Sequence, residues 1–174
     1  MISPVGADAL LEALRARALL LAGAESCTGG LIAAAITAMP GSSEAFLGCV
    51  VSYSDSAKTA LLGVSADLLA AQGAVSAACV KAMAEGVRER LNADLTYAVS
   101  GIAGPGGGSP EQPVGTIWTA YSMRGCTLTE QLSLNGDRDH IRARCADIVL
   151  HRLNALVLER FMLDNPAHRG VSLS

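Results

Sequence analysis

The sequence predicts an α/β fold with a mixed, mostly parallel five-stranded sheet, on three observations. Short apolar runs that suit buried strands alternate with segments whose apolar residues recur at helical spacing. Late in the chain two strands are joined by a tight Arg124-Gly125 turn, so the pairing there is antiparallel. The composition, 51% apolar but only 3% aromatic, suits a helix-rich core of Ala, Leu, Val and Ile. At 174 residues the chain is long enough for one such core and too short for two comfortable ones.

Residues 6–21 begin as an amphipathic helix, with Leu10, Leu11 and Leu14 at helical spacing, and pass into a first buried strand at 18–22. The stretch Ala24-Glu25-Ser26-Cys27-Thr28-Gly29-Gly30 separates that strand from an apolar-periodic helix at 31–39. It places Ser26 and the N–H groups of Cys27, Thr28 and Gly29 at a helix start. Donors there lack intrahelical partners and the dipole is positive, which suits a nucleophile or an anion. Capping by Ser26 or Thr28 is the structural alternative. Pro40-Gly41-Ser42-Ser43 breaks the chain before a second strand at 46–53, and the helix between the two strands makes them parallel through a right-handed crossover. Asp55 or Ser54 then caps a short helix whose first turn carries Lys58, which with Lys81 is one of two lysines in the chain. A desolvated lysine can act as a base where an arginine cannot, although a lysine after a strand is also an ordinary surface residue.

Residues 65–72 and 76–91 read as helices that open on serine caps and pack on the sheet through Ala and Val, the first stopped by Gly73. A third parallel strand at 94–100 runs into Gly101-Ile102-Ala103-Gly104-Pro105-Gly106-Gly107-Gly108-Ser109-Pro110. A loop this rich in glycine suits a backbone that wraps a ligand. It lacks the Gly-Lys-Ser/Thr ending and the following helix of a P-loop, and a flexible hairpin connection is the alternative. Strands at 114–123 and 126–134 complete the sheet, antiparallel and parallel to the third in turn. A long helix comes after Asn135-Gly136-Asp137, with Arg138 and Arg142 four apart at its positive end. An external anion explains cations so placed, and so do ion pairs with Asp137 or Asp139. Residues 163–174, with Pro166 and Gly170, read as a fraying tail.

A net charge of −3 argues against nucleic acid or an anionic membrane as the main partner. No apolar run reaches the roughly 18–20 residues that span a bilayer, and Met1-Ile2-Ser3-Pro4 lacks a basic signal-peptide region, so a cytoplasmic protein is expected. Cys27, Cys49, Cys79, Cys126 and Cys145 are widely spaced and read as reduced core residues. His140, His151 and His168 form no ligand pair, and neither a metal nor another cofactor is expected. Small-residue helices leave apolar surface that a homodimer or larger homo-oligomer could cover.

The topology carries Ser26, Lys58, the glycine loop and Arg138 to the carboxyl ends of the strands, where open α/β sheets bind ligands. A serine, a lysine base and N–H donors for an oxyanion make an acyl-transfer set that needs no histidine. Cys27 is the rival nucleophile, because a thiol at a helix start ionises more readily, but no histidine lies in these loops to activate it.

Seven stretches also carry a resemblance. They are Ala24-Glu25-Ser26-Cys27-Thr28-Gly29-Gly30, Pro40-Gly41-Ser42-Ser43, Tyr53-Ser54-Asp55-Ser56-Ala57-Lys58, Gly73-Ala74-Val75-Ser76, Ser100-Gly101-Ile102-Ala103-Gly104-Pro105, Pro113-Val114-Gly115-Thr116 and Gly136-Asp137-Arg138. In this order, across residues 7–162, the chain resembles the C-terminal domain family of competence/damage-inducible protein CinA, whose stand-alone members include PncC-type nicotinamide-nucleotide amidases. The resemblance implies a three-layer α/β/α sandwich forming one domain over residues 1–174, with its core at 7–162. It implies deamidation of nicotinamide mononucleotide to nicotinic acid mononucleotide and ammonia, in pyridine-nucleotide recycling. By position it implies Ser26 as nucleophile and Lys58 as base. On that reading the oxyanion and substrate meet N–H groups of Cys27, Thr28 and Gly29 or of Gly101, Ile102, Ala103 and Gly104. Tyr53 lies against the pyridinium ring, and Arg138, with Arg142 second, holds the 5′-phosphate. The family's N-terminal pyrophosphatase-like domain is outside the matched stretch, so no coupled ADP-ribose activity is expected. A nucleotide-binding or regulatory module without turnover, tied to competence or DNA damage, would use the same loop and arginines and is the alternative.

Overall fold

Side-chain size alternates along the strands, and this decides which helices lie on which face of the sheet. A computed structural model describes residues 5–164 in the order α1 (Val5–Arg15), β1 (Leu21–Glu25), α2 (Leu31–Thr37), a 3₁₀ turn (Ser42–Glu44), β2 (Phe46–Val51), α3 (Asp55–Leu62), α4 (Ala66–Gln72), α5 (Ala77–Leu91), β3 (Leu95–Gly101), β4 (Thr116–Met123), β5 (Cys126–Ser133) and α6 (Arg138–Asp164). The reading of residues 1–4, and that of the tail from 165 on, lie outside the described residues; 163 and 164 close α6.

The sheet order is β2-β1-β3-β4-β5, with β1 parallel to β2 and β3, and β4 antiparallel to both β3 and β5. This is the mixed five-stranded sheet the sequence predicts. On one face Leu21, Leu95, Tyr97, Val99, Ile117 and Tyr121 pack with Leu10 and Leu14 of α1, Ile32 of α2 and Ile141 and Val149 of α6. On the other, Ala22, Ala24, Ala98 and Ala120 meet Val80, Met83 and Val87 of α5. Alanines on that face let α5 come close enough for Thr96 Oγ1 to donate to the Ala84 carbonyl at 2.8 Å. Each buried Leu, Ile or Val contributes roughly 1.5–3 kcal/mol of transfer free energy to this arrangement.

Two strand boundaries and the packing of one helix stand out among the differences from the sequence reading. The first strand is Leu21–Glu25 rather than 18–22, because the chain is still turning at Ala18, whose φ is 52°. All five residues of the strand are buried, the acidic Glu25 included, and an apolar run gives no sign of a buried acid. The second strand ends at Val51, so Ser52 and Tyr53 leave the sheet. Helix α4 buries none of its residues and lies on α3 and α5, so only α5 of that pair packs on the sheet.

Gly23 in β1 has no room for a side chain, since a Cβ there would overlap the Tyr97 ring. Gly23→Ala is expected to destabilise the fold by about 1–3 kcal/mol, read as a lowered urea midpoint, because the displaced ring is fully buried. An unchanged midpoint would contradict this packing. Burial also pushes the Cys79 thiol up to about 11 and Cys27 to about 12, and holds Cys145 well above its ordinary value near 9. Thiols raised in this way contribute stability that is fully present below about pH 9 and is lost as pH climbs through the folded values. The unfolding free energy from urea titration is therefore expected to hold from pH 7 to 8.5 and to fall by pH 10.5, by about 2 kcal/mol for each fully buried thiol.

Candidate active site

The chain leaves β1 at Glu25, and that residue arranges the turn beyond it. Its backbone carbonyl accepts from the Ser52 N–H at 2.9 Å, in register with the pairing of Glu25 and Val51, so Ser26 and Ser52 depart from adjacent parallel strands at one level. Its carboxylate turns under α2. Oε2 accepts from Gly30 N at 2.8 Å and Ile32 N at 3.4 Å, and Oε1 accepts from Ala33 N at 2.9 Å and the Tyr97 hydroxyl at 3.1 Å. The anion at the start of α2 is thus the protein's own, which corrects the sequence reading. The helix begins only at Leu31, after Gly29 and Gly30 at φ 62° and 95°, and its cap has no side-chain bond from Ser26 or Thr28. Residues 26–30 are therefore a separate turn, fixed at its far end by α2.

Ser26, 8% exposed, opens this turn, with its N–H on the Val99 carbonyl at 3.0 Å. Lys58 comes from the first turn of α3. Ser54 caps that helix by accepting from Ala57 N at 3.1 Å. The Lys58 side chain is 1% exposed, and its Nζ lies 3.2 Å from Ser26 Oγ. It also donates to the carbonyls of Ser52 at 3.1 Å and Tyr53 at 3.4 Å, with Asp55 Oδ1 at 3.7 Å. A neutral amine has two N–H groups and one lone pair. With the Ser52 and Tyr53 carbonyls each taking one N–H, the remaining position on Nζ is directed at the Ser26 hydroxyl.

A cleft of about 240 Å³ opens over the pair, between the β1 turn, the 73–76 connection and the glycine loop. Of the residues singled out from sequence, Ser26, Cys27, Tyr53, Lys58, Gly101, Ala103 and Arg138 line it. Thr28, Gly29, Ile102, Gly104 and Arg142 adjoin it without lining it. Arg142 sits behind the turn, donating to the carbonyls of Cys27 at 3.2 Å and Thr28 at 2.9 Å, with Asp139 at 3.7 Å. Its guanidinium holds the turn. Arg138 reaches the cleft, tied by Nη1 to the Gly104 carbonyl at 2.7 Å and by Nη2 to the Tyr53 hydroxyl at 3.0 Å. Asp137 caps α6 by accepting from His140 N at 2.8 Å and pairs with neither arginine.

The sequence reading gave no site role to Glu25, Asp55, Ala74, Val75 and Ser100. The last four line the cleft, and Glu25 lies beneath it. Their signals were faint, since a lone acid closing an apolar run and a small residue in a loop are common anywhere.

Cys27 stands beside Ser26, but its chemistry runs opposite to the sequence reading. It is 6% exposed and lies in the turn, ahead of the helix start. Burial pushes its thiol up to about 12 against the weaker pull of its own and the Thr28 backbone N–H, so it stays protonated at neutral pH. A second cavity of about 260 Å³, against Leu19, Leu95, Met123 and Leu156 at the other end of the sheet, holds none of the candidate site residues read from the sequence. Among the described residues no group of three or more His, Cys, Asp or Glu could hold a metal ion, and no helix is long and apolar enough to cross a membrane.

Comparison with known proteins agrees with the fold. Residues 6–157 match the model of the CinA C-terminal domain. A "CinA-like protein" of Myxococcus xanthus is 49% identical over 153 residues, covering 87% of this chain and 36% of that protein. One of Akkermansia muciniphila is 51% identical over 146 residues, covering 82% and 35%. The chain thus spans about a third of the length of such relatives. Among solved structures, a competence-damaged protein (CinA) superfamily protein of Klebsiella pneumoniae superposes with a TM-score of 0.87 at 36% identity, covering 90% of this chain and 98% of that one. The competence/damage inducible protein CihA of Agrobacterium tumefaciens gives 0.86 at 39% identity, covering 88% and 94%. A match over nearly the whole described fold, with the β1 turn, the Lys58 helix and the glycine loop all inside it, shows that the chain belongs to the CinA C-terminal domain family.

Proposed function

We propose that the chain is an amidohydrolase that deamidates nicotinamide mononucleotide through an acyl-enzyme on Ser26. The observation that carries this reading is the buried contact of 3.2 Å between Lys58 Nζ and Ser26 Oγ, in a cleft at the carboxyl ends of the parallel strands. Lys58 takes the Oγ proton as Ser26 attacks the carboxamide carbon. The oxyanion then needs donors. Gly29 N–H is engaged by the Ser26 carbonyl at 3.1 Å and Ile102 N–H by the Thr116 carbonyl at 2.9 Å, so the turn offers Cys27 and Thr28 and the loop offers Ala103 and Gly104. When the tetrahedral adduct collapses, the C–N bond breaks, Lys58 returns its proton to the leaving nitrogen, and ammonia departs. Water then attacks the ester with Lys58 as base again, releasing the carboxylate and restoring the serine. The exposed Tyr53 ring supports the pyridinium, and Arg138 at the rim meets the phosphate with the N–H groups it keeps free of Gly104 and Tyr53.

Ammonia release from nicotinamide mononucleotide, measured beside a small panel of other pyridine nucleotides and amides, tests the reading. Release is expected from the mononucleotide and is expected to persist in EDTA. Ser26→Ala and Lys58→Ala are each expected to lower kcat by at least 1000-fold, whereas Cys27→Ala, which keeps the backbone N–H, retains most of it. Native turnover in Ser26→Ala, or near-total loss in Cys27→Ala, would overturn the assignment. The names of the relatives speak of competence and damage, which suits a nucleotide-binding module without turnover. Tight binding of the mononucleotide with no ammonia released by the wild type would favour that reading instead.

A further inference from the structure

Asp55 is the charged group of the cleft to which the deamidation cycle gives no part. It is the first residue of α3, where an acid favours the helix dipole, but the cap is Ser54, which accepts from Ala57 N at 3.1 Å. The carboxylate is left to the cleft, 64% exposed, and its one polar partner among the described residues is Lys58 Nζ at 3.7 Å. Arg138, the other charge on the cleft wall, is tied to Gly104 and Tyr53 instead. The cleft therefore has two poles, a carboxylate beside the reacting pair and a guanidinium at the rim, with the exposed Tyr53 ring joined to the second.

We infer that Asp55 is a specificity-determining residue that selects amides carried on a positively charged ring. The inference rests on the deamidase reading in one respect. A Lys58 that acts as base enters the cycle as a neutral amine, and Asp55 then faces the cleft with no cation beside it. A pyridinium ring brings the missing positive charge, whereas a neutral ring of the same shape does not. Once the Ser26 proton has moved to Lys58, the new ammonium lies beside the same carboxylate, so Asp55 favours both the arrival of a cationic substrate and the subsequent proton transfer.

The test compares two ligands that share carboxamide, ribose and phosphate and differ in ring charge: nicotinamide mononucleotide and its 1,4-dihydro form. Binding is measured by titration calorimetry in a Ser26→Ala background, where nothing turns over. The oxidised, cationic form is expected to bind at least ten times more tightly than the neutral form. Adding Asp55→Asn should shrink that ratio at least fivefold, and Asp55→Glu should keep most of it. A general loss of structure weakens both ligands alike and leaves the ratio where it was, so the ratio separates charge selection from misfolding. An unchanged ratio in Asp55→Asn, equal weakening of both ligands, or no preference in the parent overturns the inference. Ammonia release by the wild type is scored separately: its absence with a collapsing ratio removes the deamidase reading and leaves the charge selection standing.

Discussion

The cleft depends on a single buried carboxylate. Glu25 is fully buried at the end of β1, and an acid in that position needs its charge met by donors. Three N–H groups of the α2 start and the Tyr97 hydroxyl supply them. These bonds satisfy donors that a helix start otherwise leaves open, and they fix α2 relative to β1. The turn between them has no freedom left: Glu25 holds one end, the α2 start holds the other, and Arg142 grips the carbonyls of Cys27 and Thr28 from behind. Ser26 is held in place without any bond from its own hydroxyl to the turn, so that hydroxyl is left for Lys58.

Competing effects at the site are settled by magnitude. A helix dipole favours a thiolate by a modest amount, and here Glu25 already occupies the helix start, whereas burial opposes the thiolate strongly, so Cys27 stays a thiol. The two arginines of α6 look equivalent along the sequence but differ in what they touch. Arg142 has carbonyls of the turn within reach, while Arg138, one turn earlier, stands over the cleft beside Tyr53. Lys58 is held by backbone carbonyls that the end of β2 presents, so its position comes from the same strand pairing that positions Ser26.

Much of this was legible in the sequence. Strand-helix alternation and the Arg124-Gly125 turn were enough to give the strand directions, the antiparallel fourth strand included, because crossover handedness and hairpin geometry leave few alternatives. The meeting of Ser26, Lys58, the glycine loop and Arg138 came from that topology. The features that were not legible depend on contacts between distant segments. The buried Glu25 reads as a polar boundary and so shifted β1 by three residues, and its occupation of the α2 start could not be seen without Tyr97 and Gly30 in place. Ser54 and Asp55 are equally good caps on paper, and only the geometry shows that Ser54 takes the role and leaves Asp55 to the cleft.

The central claim is that chemistry passes through a covalent bond to Ser26, with Lys58 moving the proton. It is tested most directly by mixing the protein with nicotinamide mononucleotide, quenching in acid on the time scale of a first turnover, and mapping the peptide that spans the β1 turn by mass spectrometry. The account predicts an acyl adduct on Ser26 whose formation keeps pace with ammonia release. An adduct on Cys27, or turnover with no covalent species on that peptide, would contradict it.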